Sequence, residues 1–135
     1  MSKLIDSIKL SEGYRAKVYK DTLGIDTIGY GFAVKDLVLE EDVCDMILDR
    51  KLEDLIESVN NKFVFITELP VEAQHVVYEM VYQMGVSGVS KFKRFLEALE
   101  ERDYEWASIE MLDSKWAKQT PNRAKRLSDI IKGLA

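Results

Sequence analysis

The sequence holds a single cysteine, Cys44, in 135 residues. No internal disulfide can form, which fits folding in a reducing compartment. Because Cys44 lies beside an apolar helical stripe, it is expected to be a buried, inert thiol. Histidine is equally scarce. His75 stands alone, so no zinc site can be assembled from histidine and cysteine. It also lacks the neighbouring serine or cysteine that a histidine-activated nucleophile requires, and it is read as a partly buried structural residue. No cofactor is expected. There are only two prolines, with no Pro/Ser-rich linker, internal repeat or low-complexity segment. The chain is therefore read as one domain spanning 1–135, or two small lobes sharing a helix. No apolar run reaches the length of a membrane helix, and the N-terminal MSKLIDSIKL has no signal-peptide core. Membrane insertion is not expected. An excess of positive charge is also lacking: the net charge is −5 and the pI about 5.0, without a general footprint for nucleic acid.

Apolar residues make up 47% of the chain, enough for a core without covalent staples. Charge is unevenly spread. Asp36 to Asn60 carries nine acids against two bases, which reads as a solvated helix face, whereas Ser114 to Lys132 carries six bases against one acid.

Hydrophobic spacing organises the chain. Leu4, Ile5 and Ile8 form a helical row that ends near Glu12-Gly13. From Lys17 to Phe32, Val, Tyr, Ile and Thr flank Asp21-Thr22-Leu23-Gly24, whose Asp-first, Gly-fourth pattern predicts a type I turn in a hairpin. Leu39 to Val59 reads as one long helix with acids in its first turn. Thr67 is expected to cap the next helix, which runs to about Met84 with Val76, Val77, Met80, Val81 and Met84 inside. Gly85 and Gly88 break the chain; Phe92–Glu101 and Asp103–Leu112 are shorter helices, and Thr120-Pro121 opens the last, which Gly133 ends. The fold class is α+β, mainly helical.

Three polar residues near the start interrupt this pattern. Glu12 continues the apolar row four residues after Ile8, so a carboxylate sits where the core should be. Burial and the negative end of the helix dipole would both favour its protonated form, as a general acid requires, although fraying outward would explain it as well. Asp21 alone is explained by the turn, and Thr27 alone by the strand. Gly29 and Gly31 lack the third glycine of a dinucleotide loop and are read as a tight backbone passage.

Together these residues form a sharper pattern. Glu12, Asp21 nine residues on and Thr27 six further, followed by I-G-Y-G, resemble the catalytic segment of the phage T4-type lysozymes, or endolysins. Tyr82-Gln83-Met84-Gly85 with Gly88-Val89 and Phe92 is a second match, and the W-x-x-Q-T-P-x-R-A block from Trp116 to Ala124 a third. The resemblance is weak from about Ala33 to Ala73, where this chain looks shorter.

The resemblance implies a lysozyme-like fold in which a small β-hairpin lobe (about 13–60, with the linking helix) joins a larger helical lobe (about 61–135, plus residues 1–12). It implies a peptidoglycan hydrolase that cleaves between N-acetylmuramic acid and N-acetylglucosamine with inversion. Glu12 would be the proton donor, Asp21 the base or electrostatic partner, and Thr27 the residue that positions water. Ala33 and Tyr82 would contact substrate, while Gln83, Trp116 and Arg123 support the site. Phe95 and Glu110 fall where the family has small polar contacts, and Phe32 where many relatives have histidine. Such an enzyme is expected to be a monomer, made in a host cytoplasm and released by a holin to act on the wall in the periplasm. Two other readings remain: a wall-binding module without turnover, and a lytic transglycosylase, which can dispense with the aspartate and threonine.

Overall fold

A computed structural model describes residues 2–135. The chain divides into two compact units, one up to Asp45 and one from Met46 to Ala135. The mainly helical α+β class is as expected from the sequence.

The first unit contains α1 (Ser2–Glu12), the strands β1 (Arg15–Lys20), β2 (Asp26–Gly29) and β3 (Phe32–Ala33), a 3-10 turn (Val34–Asp36) and the start of α2 (Glu41–Lys62). Helix α1 is thus counted here with the hairpin, whereas the sequence reading grouped it with the larger lobe. The strands form one antiparallel sheet in the order β1-β2-β3. In the predicted turn, the Gly24 amide donates to the Asp21 carbonyl at 3.0 Å. The third strand is an addition to the expected hairpin. Its two residues are too few to show alternation.

Helix α1 follows the predicted periodicity, but Leu4, Ile5 and Ile8 remain exposed, contrary to the core-facing stripe expected. Its ties within the unit lie at its C-terminal end. Lys9 sits over the Tyr30 ring at 5.2 Å, and Tyr14 packs against Tyr30 at 5.7 Å. Cys44, on α2, is exposed, which overturns the buried thiol expected from its neighbours.

The second unit is all helical: the rest of α2, a 3-10 turn (Val64–Glu68), α3 (Val71–Ser90), α4 (Lys93–Glu100), α5 (Tyr104–Leu112), α6 (Lys115–Gln119) and α7 (Pro121–Lys132). Helix α3 starts later than expected, and Thr67 does not cap it. Pro70 holds the preceding Leu69 extended (φ −78°, ψ 158°), so helical geometry begins only at Val71. The Thr67 hydroxyl instead donates to the Val64 carbonyl. Helix α6 was not foreseen as a separate element. Ser114 caps it by accepting from the Ala117 amide at 3.1 Å. The glycine break is present as a kink in α3 at Gly85.

The core lies in this unit. Met80, Val81, Trp116 and Ala124 are buried as expected, joined by Val77, Phe95, Leu99, Met111, Leu127 and Ile131. Met84 is only partly buried, because it follows the face of α3 to its end at the Gly85 kink. His75 is exposed, not partly buried: it stands beside the buried stripe of Val76 and Val77 instead of on it. Val81→Ala should lower stability by about 1–3 kcal/mol, from lost transfer energy plus a residual cavity. Denaturant unfolding measures this, and an unchanged midpoint would place Val81 outside the core.

Candidate active site

In the first unit the sequence brings the expected catalytic residues onto adjoining backbone. Glu12 is the last residue of α1, where Gly13 closes the helix by donating its amide to the Lys9 carbonyl at 2.8 Å. Its side chain is exposed, so the argument that burial keeps it protonated falls away. The carboxyl group lies directly over Gly31. A Cβ on Gly31 would come within 2.8 Å of Glu12 Cδ, and nearer still to Oε2. Gly29 is crowded in the same way: a Cβ there would be 2.7 Å from the Phe32 ring. Both glycines have positive φ, 69° and 74°, which side-chain-bearing residues rarely adopt. The G-x-G is therefore a close backbone passage, one glycine under an aromatic ring and the other under the carboxylate. Phe32, at 48% exposed, packs edge-on to Tyr30 at 6.3 Å.

The Asp21 carboxylate spends one of its two oxygens on the turn. Its Oδ1 accepts from the amides of Leu23 (2.9 Å) and Ile25 (2.8 Å), closing the turn from within. Oδ2 has no such partner among the described residues. The backbone of Asp21 is bound to the same residue, its amide donating to the Ile25 carbonyl at 3.0 Å. That carbonyl also receives the Thr27 hydroxyl at 2.8 Å. Asp21 and Thr27 are thus both fastened to Ile25. Thr27 is 4% exposed, and with its hydrogen committed, its Oγ1 can only accept from a third group. Ala33 is the direct cross-strand partner of Thr27. Glu12, Asp21, Thr27 and Ala33 therefore belong to one small unit, tied to the β2–β3 turn or to β2 itself.

In the second unit, Trp116 Nε1 donates to Gln83 Oε1 at 2.9 Å, pairing two residues singled out together in the sequence. Tyr82, beside Gln83 on α3, is 48% exposed. Arg123 is held through Nε by Glu79 Oε2 at 2.7 Å, and Arg126 reaches the same oxygen at 3.0 Å. Glu79 was missed by the sequence reading. The available signal was its position as the one charged residue between Val76 and Gly85, with two arginines spaced one helical turn apart needing an anion. The Arg123 side chain is 34% exposed.

A cavity of about 700 Å³ lies within this unit and includes the Gln83–Trp116 pair. Its walls carry Lys91, Lys93, Arg94 and Lys115, opposed by Glu110 and Asp113. Phe95, which departs from the family pattern, contributes to the wall yet is almost wholly buried in the core. Glu110, the other departure, accepts from Trp106 Nε1 at 3.2 Å. Among the described residues no group of His, Cys, Asp and Glu is arranged to hold a metal ion.

A helix-end glutamate beside a small antiparallel sheet, an aspartate in the hairpin turn and an all-helical second unit define the class of lysozyme-like hydrolases. The phage lysozyme family pattern matches residues 9–134, and the chain belongs to that family. Two similar proteins are "Probable T4-type lysozyme 1" and "Probable T4-type lysozyme 2" of Dictyostelium discoideum, 31% and 32% identical over 97% of this chain and 94% of their own length. The "Pre-baseplate central spike protein Gp5" of Enterobacteria phage T4 is 29% identical over 95% of this chain, a match covering 27% of that protein. The alignments run over 160 positions against a chain of 135 residues, so the relatives carry segments that this chain lacks. The protein is a lysozyme-like peptidoglycan hydrolase, a glycosidase by class.

Proposed function

We propose that the chain is a muramidase that cleaves the β-1,4 bond between N-acetylmuramic acid and N-acetylglucosamine with inversion, and so lyses bacterial walls. Glu12 protonates the leaving glycosidic oxygen. A water attacks the anomeric carbon from the opposite face, and the proton it sheds passes to Asp21. The observation that carries this reading is the shared anchorage of Asp21 and Thr27 on Ile25. With its own hydrogen spent, Thr27 Oγ1 accepts one hydrogen of the water. Asp21 Oδ2, free of the turn, accepts the other. The water then has a lone pair left for attack. A lytic transglycosylase, which uses the substrate's own hydroxyl, has no need of this arrangement.

Ala33 and Tyr82 serve as sugar contacts, and the Gln83–Trp116 pair with Arg123 supports the site from the second unit. The enzyme acts as a monomer. It is made in a host cytoplasm and reaches the wall in the periplasm through a holin-dependent lesion. Among the described residues, no helix is long and apolar enough to cross a membrane.

Analysis of the sugar ends released from purified walls tests the chemistry. Hydrolysis yields muramic acid ends that borohydride reduces, with inverted configuration in the first products. Anhydro-muramic ends would replace this reading with transglycosylation.

A further inference from the structure

The cavity beside the Gln83–Trp116 pair has a charge opposite to that of the protein. The chain as a whole carries −5, yet four bases and two acids line this one space. Among the described residues none of Lys91, Lys93, Arg94 and Lys115 is engaged in an ion pair. One of the two acids, Glu110, is already accepting from Trp106. Gln83 adds to the same bias. The indole N–H can only donate, so it fixes the Gln83 carbonyl toward Trp116 and leaves the amide NH2 for other partners. The free polar groups are thus mostly donors, four of them cationic, around a volume large enough for a short peptide.

We propose that this cavity selects substrate by the state of its peptide arm, accepting free carboxylates and disfavouring amidated ones. The inference rests on the reading of peptidoglycan as substrate. In that polymer the anionic groups near the sugars are the carboxylates of the peptide stems, and amidation removes their charge one at a time. A long polyanion fits less well, because Glu110 and Asp113 stand among the bases and Phe92 and Met84 give part of the wall an apolar character. Discrete carboxylates can pair with the lysines while the intervening apolar atoms lie on the wall between them. Surface-type ion pairs are individually weak, so the expected discrimination is about threefold to fivefold for each carboxylate engaged.

The test has a binding arm and a turnover arm. The binding probe is the disaccharide N-acetylglucosaminyl-N-acetylmuramyl tetrapeptide, which lacks the bond to be cut, with its stem carboxylates free or converted to amides. Calorimetry on the intact protein should give tighter binding of the free form. Lys91→Gln/Lys93→Gln/Lys115→Gln should erase the difference, whereas Lys132→Gln, outside the cavity, should preserve it. In the turnover arm, wall preparations with free and amidated stems are digested by the same proteins, and kcat/KM should show the same pattern. Equal binding of the two probes by the parent protein overturns the inference, as does discrimination that survives in the triple variant. If walls are cleaved without discrimination, the cavity proposal fails and the hydrolase reading stands. If the probes are discriminated but no wall is cleaved, the cavity proposal stands and the hydrolase reading fails.

Discussion

Glu12→Gln should abolish the clearing of permeabilised Gram-negative cells with little change in melting temperature. Glutamine keeps the size and planarity of the side chain, so it still fits over Gly31, where even one added carbon would collide. What it loses is the acidic proton. Under the proposed mechanism the leaving sugar would then depart as an alkoxide, and positioned general acids contribute roughly 10²–10⁴-fold to such steps. Because Glu12 is exposed at the end of α1, the substitution removes little packing. Turbidity measurement with a parallel thermal melt therefore separates chemistry from folding. If the variant clears cells as fast as the parent, the hydrolase assignment fails, and wall binding without turnover becomes the better account.

The second large effect is at Asp21, where two substitutions should part company. Asp21→Asn retains an Oδ1 able to accept from the Leu23 and Ile25 amides, so the turn persists. It replaces the free Oδ2 with an NH2 group that donates to the water instead of drawing a proton from it. Lysis should fall steeply, again by about 10²-fold or more, with the fold nearly intact. Asp21→Ala loses the chemistry and the turn's acceptor together, leaving two amides to find other partners at a cost of about 1–3 kcal/mol. Equal stability loss in the two variants, measured by urea unfolding, would show that Oδ1 is not what holds the turn.

These two residues show how much the sequence could reveal. The Asp21 turn was legible because Asp and Gly at fixed spacing have few alternatives, and the structure forms it with the bond from Gly24 to Asp21. That Oδ1 alone closes the turn and leaves Oδ2 without a partner was not legible, since nothing in a linear string says which oxygen is spent. Glu12 was found because a carboxylate interrupted an apolar row, but its exposure depends on packing that periodicity cannot supply. The same limit explains His75, which adjoins a buried stripe in sequence yet is turned to solvent by the rotation of about 100° per residue. Cys44 misled for another reason: the stripe it adjoins is itself exposed at Val43, Ile47 and Leu48. Helix α6 has five residues, too few for a period, although its serine cap was in plain view. Thr67 misled because the restraint of proline on its predecessor outweighs a favourable capping residue. The Trp116–Gln83 bond, between residues 33 positions apart, was reached through the family resemblance and not through spacing.

Cys44 has a further use that follows from its exposure and its solitude. It lies on α2 just before Asp45, where the first compact unit ends. A maleimide fluorophore can therefore be attached at a single known point without prior mutagenesis, on an element remote in sequence from Glu12, Asp21 and Thr27. Anisotropy and quenching from that dye, recorded as wall fragments are added, would give an optical record of α2 in the working enzyme.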